Sequence, residues 1–168
     1  RIYKGGRIDR DQAINFKFNS KEYIGYQGDT LASALLANDV HLIGRSFKYH
    51  RPRGILTSGS EEPNALVQLG LGARTEPNMR ATEIEIYEGL EASSQNCWPS
   101  VNFDIGSINN FLSRVFPAGF YYKTFMWPPS LWLFYEHFIR KAAGLGVAPT
   151  AKNPDRYEQK FHYCDILV

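Results

Sequence analysis

From Ala13 to Tyr26 apolar and polar residues alternate on both sides of an Asn19-Ser20 pair, and a period of two demands a half-buried strand hairpin. Ile14, Phe16 and Phe18 supply the apolar face of the first arm, and Glu22 to Tyr26 return as the second. Gly28-Asp29-Thr30 then breaks the pattern. Asp29 reads as an N-cap, and Leu31, Ala34, Leu35 and Val40 follow at near-helical spacing, which predicts a short amphipathic helix over Thr30 to Asn38 packed on the hairpin.

His41 to Gly44 is a candidate strand. Arg45 to Asn64 holds too many Gly, Pro and Ser residues for a regular element and reads as a long loop, a setting in which function is often found. Ala65 to Leu69 and Ala81 to Tyr87 read as two more strands, the second with Ile84 and Ile86 inward and Glu83, Glu85 and Glu88 outward. Strands gathered around one helix predict an α+β fold, with residues 1–89 as a small β-grasp module.

Residues 90–157 read as an extended segment plus an interface helix. Aromatic residues mix with Asn, Ser and Pro from Leu90 to Trp127 without a clean period, as expected of a segment lying over a partner surface. Pro128 and Pro129 open a helix that runs to about Ala143 and ends at Gly144. Its Trp132, Phe134, Tyr135 and Phe138 are too bulky to leave in water. The stretch is shorter than a membrane span and carries Glu136, His137, Arg140 and Lys141, so protein rather than lipid is its expected cover. Gly146 to Arg156 is linker-like, and Phe161 to Val168 build into an apolar run that reads as a buried parallel strand cut off at Val168, so that residues 158–168 are expected to open a further domain. With no Met ahead of Arg1, the chain reads as a fragment of a longer polypeptide.

A chain of 168 residues with 43% hydrophobic and 14% aromatic content has the material for a core, which argues against disorder. The net charge of +2 gives no general attraction to nucleic acid or to an anionic membrane. Cys97 and Cys164 are the only 2 cysteines and form no CxxC, so the sequence suggests neither a disulfide framework nor a zinc site and suits reduced thiols in the cytoplasm.

Arg45, Lys48, Arg51 and Arg53, with His50 among them, concentrate positive charge in one stretch, and guanidinium groups suit bidentate capture of phosphate oxygens. The simpler reading is that these residues fasten the loop through ion pairs and backbone hydrogen bonds. Tyr49 alone between the charges is too little for a nucleic-acid groove. His50 is a residue type suited to general acid–base work but has no carboxylate or nucleophile beside it in sequence, so it reads as a loop histidine held by hydrogen bonds. None of His41, His50, His137 and His162 reads as a metal ligand, and no residue reads as catalytic. Glu61 and Glu62 read as a solvated turn or as acceptors for nearby arginines.

The stretch Gly44-Arg45-Ser46-Phe47-Lys48-Tyr49-His50-Arg51-Pro52-Arg53-Gly54 is similar to a signature of the alpha subunits of heterotetrameric sarcosine oxidases and of related flavin dehydrogenases for proline, opines and glycine. Gly59 to Ala65, Ser94 to Ser100 and Pro117 to Trp127 narrow the resemblance to the sarcosine oxidases. It implies a ferredoxin-like module. In the wider family the loop after the basic signature carries cysteines of a [2Fe-2S] cluster, with a distant fourth ligand. Here Ile55 to Asn64 contains no cysteine and Ala81-Thr82 stands near the expected fourth position, so no iron-sulfur cluster is expected; carboxylates at Glu61 and Glu62 replace soft thiolates poorly.

The same resemblance implies FMN at the interface with the beta subunit, to which it is covalently attached, and makes Arg45, Lys48, His50, Arg51 and Arg53 candidate contacts to its phosphate or edge. It implies FAD on the beta subunit, and NAD on the remainder of the alpha subunit, past a Gly-rich turn into which residues 158–168 would lead. Gamma and delta subunits complete the heterotetramer. The whole complex is expected to oxidise sarcosine, reduce oxygen to hydrogen peroxide and pass a one-carbon unit to tetrahydrofolate, with this chain serving assembly. The aromatic run Phe120 to Trp127 fits subunit packing better than a flavin or folate pocket. An electron-transfer module of a proline, opine or glycine dehydrogenase is the alternative, and the missing thiols argue against it.

Overall fold

The computed structural model describes residues 5–114, 127–143, 146, 148–161 and 163–165. The expected hairpin is present: β1 (Asp9–Phe18) and β2 (Lys21–Gln27) pair antiparallel with Phe16 opposite Tyr23, whose rings stack with centroids 5.8 Å apart. Asn19 and Ser20 both take positive φ, 51° and 65°, the sense of turn whose twist matches the two arms.

Helix α1 (Leu31–Ala37) follows, and its N-cap is Thr30 rather than Asp29. Thr30 is the last extended residue, and its hydroxyl oxygen accepts the Ser33 N–H at 3.2 Å. Asp29 is buried one step earlier, where it accepts the Tyr26 N–H at 3.0 Å and the Ser33 hydroxyl at 2.6 Å. It ties the end of the hairpin to the first turn of the helix.

Four further pairs of edges complete the architecture. The expected strand at His41 to Gly44 reduces to β3 (Gly44–Arg45), which pairs antiparallel with β4 (Pro52–Arg53) inside the long loop. β5 (Leu66–Leu69), β6 (Glu76–Arg80) and β7 (Leu90–Ser94) join the hairpin in one sheet of order β2-β1-β7-β5-β6, with β1 and β7 parallel and the other neighbours antiparallel. Phe16, Phe18, Leu31, Leu35, Ile43, Val67 and Leu90 are at most 2% exposed and form the centre of the core. A mixed sheet grasping one helix is the α+β arrangement expected.

Three readings change. Ala81 to Tyr87 is not a strand of the sheet: the Leu31 N–H donates to the Ile84 carbonyl at 2.7 Å, Ala32 N–H to Ala81 at 2.9 Å, and Ile86 N–H to Asp29 at 3.0 Å. The segment caps the start of α1, satisfying helix donors that have no partner within the helix. Ile84 and Ile86 still point inward and Glu83, Glu85 and Glu88 outward, because alternation reports burial and not pairing. β6 was hidden by Pro77, tolerated because β6 lies at the sheet edge. β7 carries the sheet past the expected module end at residue 89, its period of two muted by Ala92, Ser93 and Ser94.

After β7 come a 3-10 turn at Ile105–Ser107, the short helix α2 (Ile108–Phe111) and another 3-10 turn at Leu112–Arg114. Pro129–Leu131 and α3 (Trp132–Ala143) form the expected helix, on which Phe134 and Phe138 remain 60% and 55% exposed. The helix stop at Gly144 and the aromatic run at 120–126 lie outside the described residues. Of the strand expected at 158–168, residues 158–161 and 163–165 are exposed and irregular, and the rest lies outside the described residues.

Ser20→Gly removes a left-handed side-chain penalty and is expected to raise unfolding free energy by about 0.5 kcal/mol. Gly25→Ala drives a Cβ into the Ile86 and Ala34 side chains and is expected to lower it by roughly 1–3 kcal/mol. Urea unfolding of both variants checks the pair.

Candidate functional site

The basic signature folds into a tight hairpin rather than an open loop. Gly44 faces Arg53 and Arg45 faces Pro52, and inside this ladder the Ser46 N–H donates to the Arg51 carbonyl and the His50 N–H to the Ser46 carbonyl, each at 3.0 Å. His50 takes φ 52° to close the turn.

The five candidate residues then separate. Arg45 spends its guanidinium on main-chain carbonyls, with Nε to Val101 at 2.9 Å, Nη1 to His50 at 3.1 Å and Nη2 to Asn102 at 3.5 Å. His50 is buried, and its Nδ1 lies 2.6 Å from Oδ2 of the buried Asp104. Oδ1 of Asp104 accepts the N–H groups of Trp98 at 3.0 Å and Gly106 at 3.1 Å. Gly106 is needed there because any Cβ would run into the imidazole. These two residues fasten the loop to 98–106, as the packing reading expects.

Arg51 and Arg53 are exposed and Lys48 is half-buried. Lys48 Nζ and the Arg51 guanidinium stand 4.8 Å and 4.9 Å from the centre of the Tyr49 ring, and Arg51 Nε donates to Asn110 Oδ1 at 2.9 Å. Arg53 is exposed and its side chain has no partner among the described residues. The sequence did not reveal Asp104 as the partner of His50, since the two are 54 positions apart. Asp104-Ile105-Gly106 carried only the signal of a helix cap. Cys97 lies in the same neighbourhood, where burial first and the Asp104 carboxylate second push its thiol up, with Arg45 opposing. That disfavours the thiolate a nucleophile requires.

Glu62 does not sit in a solvated turn, and its carboxylate accepts from no arginine: it is 1% exposed and accepts from both limbs of its own loop. Oε2 accepts the N–H groups of Leu56 at 2.8 Å and Thr57 at 2.6 Å, with the Thr57 hydroxyl at 3.2 Å. Oε1 accepts those of Asn64 at 2.8 Å and Ala65 at 3.1 Å. Burial pushes this carboxyl up, but the four backbone donors outweigh it and hold it below its ordinary value. Glu61 stays exposed, and Thr82 Oγ1 donates across to the Gly59 carbonyl at 2.8 Å.

Neither cysteine of the chain falls in this loop, so the donors here do not suit an iron-sulfur cluster. Among the described residues no three His, Cys, Asp or Glu side chains converge as a metal site, and no helix is long and apolar enough to cross a membrane.

Residues 11–97 match the family described as a 2Fe-2S iron-sulfur cluster binding domain, and the chain belongs to that family. Across its whole length it is 60% identical to sarcosine oxidase subunit alpha of Rhizobium meliloti (strain 1021), covering 17% of that subunit. It is 39% identical over 53% of its length to sarcosine oxidase subunit alpha of Corynebacterium sp. (strain U-96), covering 10% of it. The crystal structure of L-proline dehydrogenase from P. horikoshii matches at a TM-score of 0.41, with 26% identity over 52% of this chain and 16% of that one. The chain thus spans less than a fifth of the length of the curated relatives it matches.

Asp104→Ala strands three donors and is expected to cost about 2–3 kcal/mol in chemical unfolding, while Arg53→Ala costs almost nothing. Cys97 should react with iodoacetamide at least about fivefold more slowly than free cysteine at pH 8, by mass spectrometry. Because Glu62 is held low when folded, its contribution is complete above the unfolded carboxyl's value and is lost as pH falls through the folded one. Glu62→Gln should therefore flatten the acid side of the stability profile.

Proposed function

We propose that this chain is the amino-terminal portion of the alpha subunit of a multi-subunit sarcosine oxidase, serving subunit assembly and contact with FMN. The observation that carries the reading is 60% identity over the entire chain to a subunit of that name. The whole enzyme converts sarcosine, oxygen and tetrahydrofolate to glycine, hydrogen peroxide and 5,10-methylenetetrahydrofolate in the cytoplasm. FMN lies between alpha and beta subunits, FAD on beta, and NAD on the rest of alpha, with gamma and delta completing the heterotetramer.

Within this chain the geometry divides labour in the basic hairpin. Arg45 and His50 are engaged inside the fold, so phosphate contact falls to the exposed Arg51 and Arg53, with the half-buried Lys48 beside them. FMN, when bound, supplies the electron-accepting ring; the hairpin supplies positive charge and a fixed platform, and no proton transfer is assigned to it. Support for the assembly role comes from exposed apolar side chains beyond the sheet, including Trp98 at 69%, Phe103 at 70% and Phe111 at 85%.

The family description favours a cluster-bearing module; the second reading is therefore the electron-transfer part of a proline, opine or glycine dehydrogenase that the basic signature also resembles. The cysteine-free loop argues against it. Purification of the whole complex with its neighbouring gene products decides between them: flavin, sarcosine-dependent peroxide and no stoichiometric iron are expected, and a bound cluster would reverse the choice. The double variant Arg51→Ala/Arg53→Ala is expected to assemble yet lose most of its FMN. Full FMN occupancy in that variant would remove the cofactor role.

A further inference from the structure

The proposed assembly role does not use Glu62, a buried charge whose carboxylate accepts five hydrogen bonds. Glu62 lies inside the loop from Ile55 to Ala65, and its two oxygens reach different limbs: Oε2 takes the donors of Leu56 and Thr57, Oε1 those of Asn64 and Ala65. Four convergent main-chain N–H groups and a hydroxyl form an anion-binding concavity of the kind that oriented backbone amides build. The loop is closed onto the segment after β6 by Thr82 Oγ1 to the Gly59 carbonyl at 2.8 Å, Ala81 N–H to the Ala65 carbonyl at 2.9 Å and Arg80 Nε to the Glu62 carbonyl at 3.3 Å.

The charged groups around it do not explain the burial. Arg80 touches only the Glu62 main chain and turns Nη1 to Glu83 at 3.3 Å, and Glu61 is exposed beside Gly59. A buried carboxylate without a paired cation persists only if its hydrogen bonds replace its hydration, and here they do. The matched family is named for a cluster whose thiolates and sulfides are also anionic and are tuned by hydrogen bonds to sulfur.

We propose that residues 55–65 form a carboxylate receptor whose ligand is the chain's own Glu62 side chain, which closes the loop in place of the iron-sulfur cluster that the loop's side chains do not fit. Two limbs that metal bonds would hold are held by one carboxylate with two oxygens. Once the side chain is removed, the receptor takes a free carboxylate of the size of formate. This holds whatever amine the complete enzyme oxidises.

Hydrogen exchange of the loop amides, read by mass spectrometry on the assembled full-length enzyme, tests it. Glu62→Ala is expected to speed exchange of peptides covering 55–65 at least about tenfold, with distant sheet peptides unchanged. Formate should restore slow exchange in that variant and chloride at equal ionic strength should not. Glu62→Gln is expected to exchange faster too, without rescue, because its side chain still fills the site. Unchanged loop exchange in Glu62→Ala, no formate effect, or an equal chloride effect overturns the proposal. If Glu62→Ala fails to assemble, Glu62→Gln decides alone: faster loop exchange supports the receptor, and unchanged exchange overturns it.

Discussion

β7 hydrogen-bonds along both of its edges, to β1 in parallel and to β5 antiparallel, so the last of this sheet's strands in chain order stands at its centre. A parallel pair cannot be closed by a tight turn, and here the crossover contains α1, the basic hairpin, the Glu62 loop and β5–β6. The hairpin turn is docked onto the same strand: Asn19 N–H donates to the Ala92 carbonyl at 3.0 Å, and the Ser94 N–H to Asn19 Oδ1 at 2.8 Å. Ser94 Oγ donates to the Ile43 carbonyl at 2.6 Å, at the entrance to the basic hairpin. Chain leaving β7 therefore passes directly under that hairpin. There Asn96 Nδ2 meets the Arg45 carbonyl at 3.0 Å, Val101 accepts from Arg45, and Asp104 meets His50.

This placement separates charges that are adjacent in sequence. Arg45 and His50 are drawn inward by carbonyls and a carboxylate that β7 delivers, whereas Arg51 and Arg53 are left on the outer side of the turn. A dense run of basic residues is thus part fastening, through Arg45 and His50, and part exposed surface, at Arg51 and Arg53. Glu62 illustrates the same point with opposite sign. Its charge is stabilised by main-chain dipoles and not by the arginines near it in sequence.

Local pattern was enough for the hairpin and for α1, because their periods and turn residues are properties of neighbouring positions. It misled at Ala81 to Tyr87, where Ile84 and Ile86 alternate correctly but the amides serve the start of α1. It was silent at β6 and β7, where Pro77 and the serines at 93 and 94 dilute the apolar rhythm and long-range pairing decides the matter. The basic signature announced a site but not the division of its members.

The sequence by itself determined that this chain carries a ferredoxin-like hairpin and helix, an alpha-subunit signature, and a loop without thiols, since each is a matter of which residues are present and how far apart. Only the tertiary structure decided that Asp104 clamps His50 and that Glu62 is enclosed by four amides. Those outcomes depend on where backbone donors converge after non-local strands have paired, and no spacing along the chain encodes that convergence.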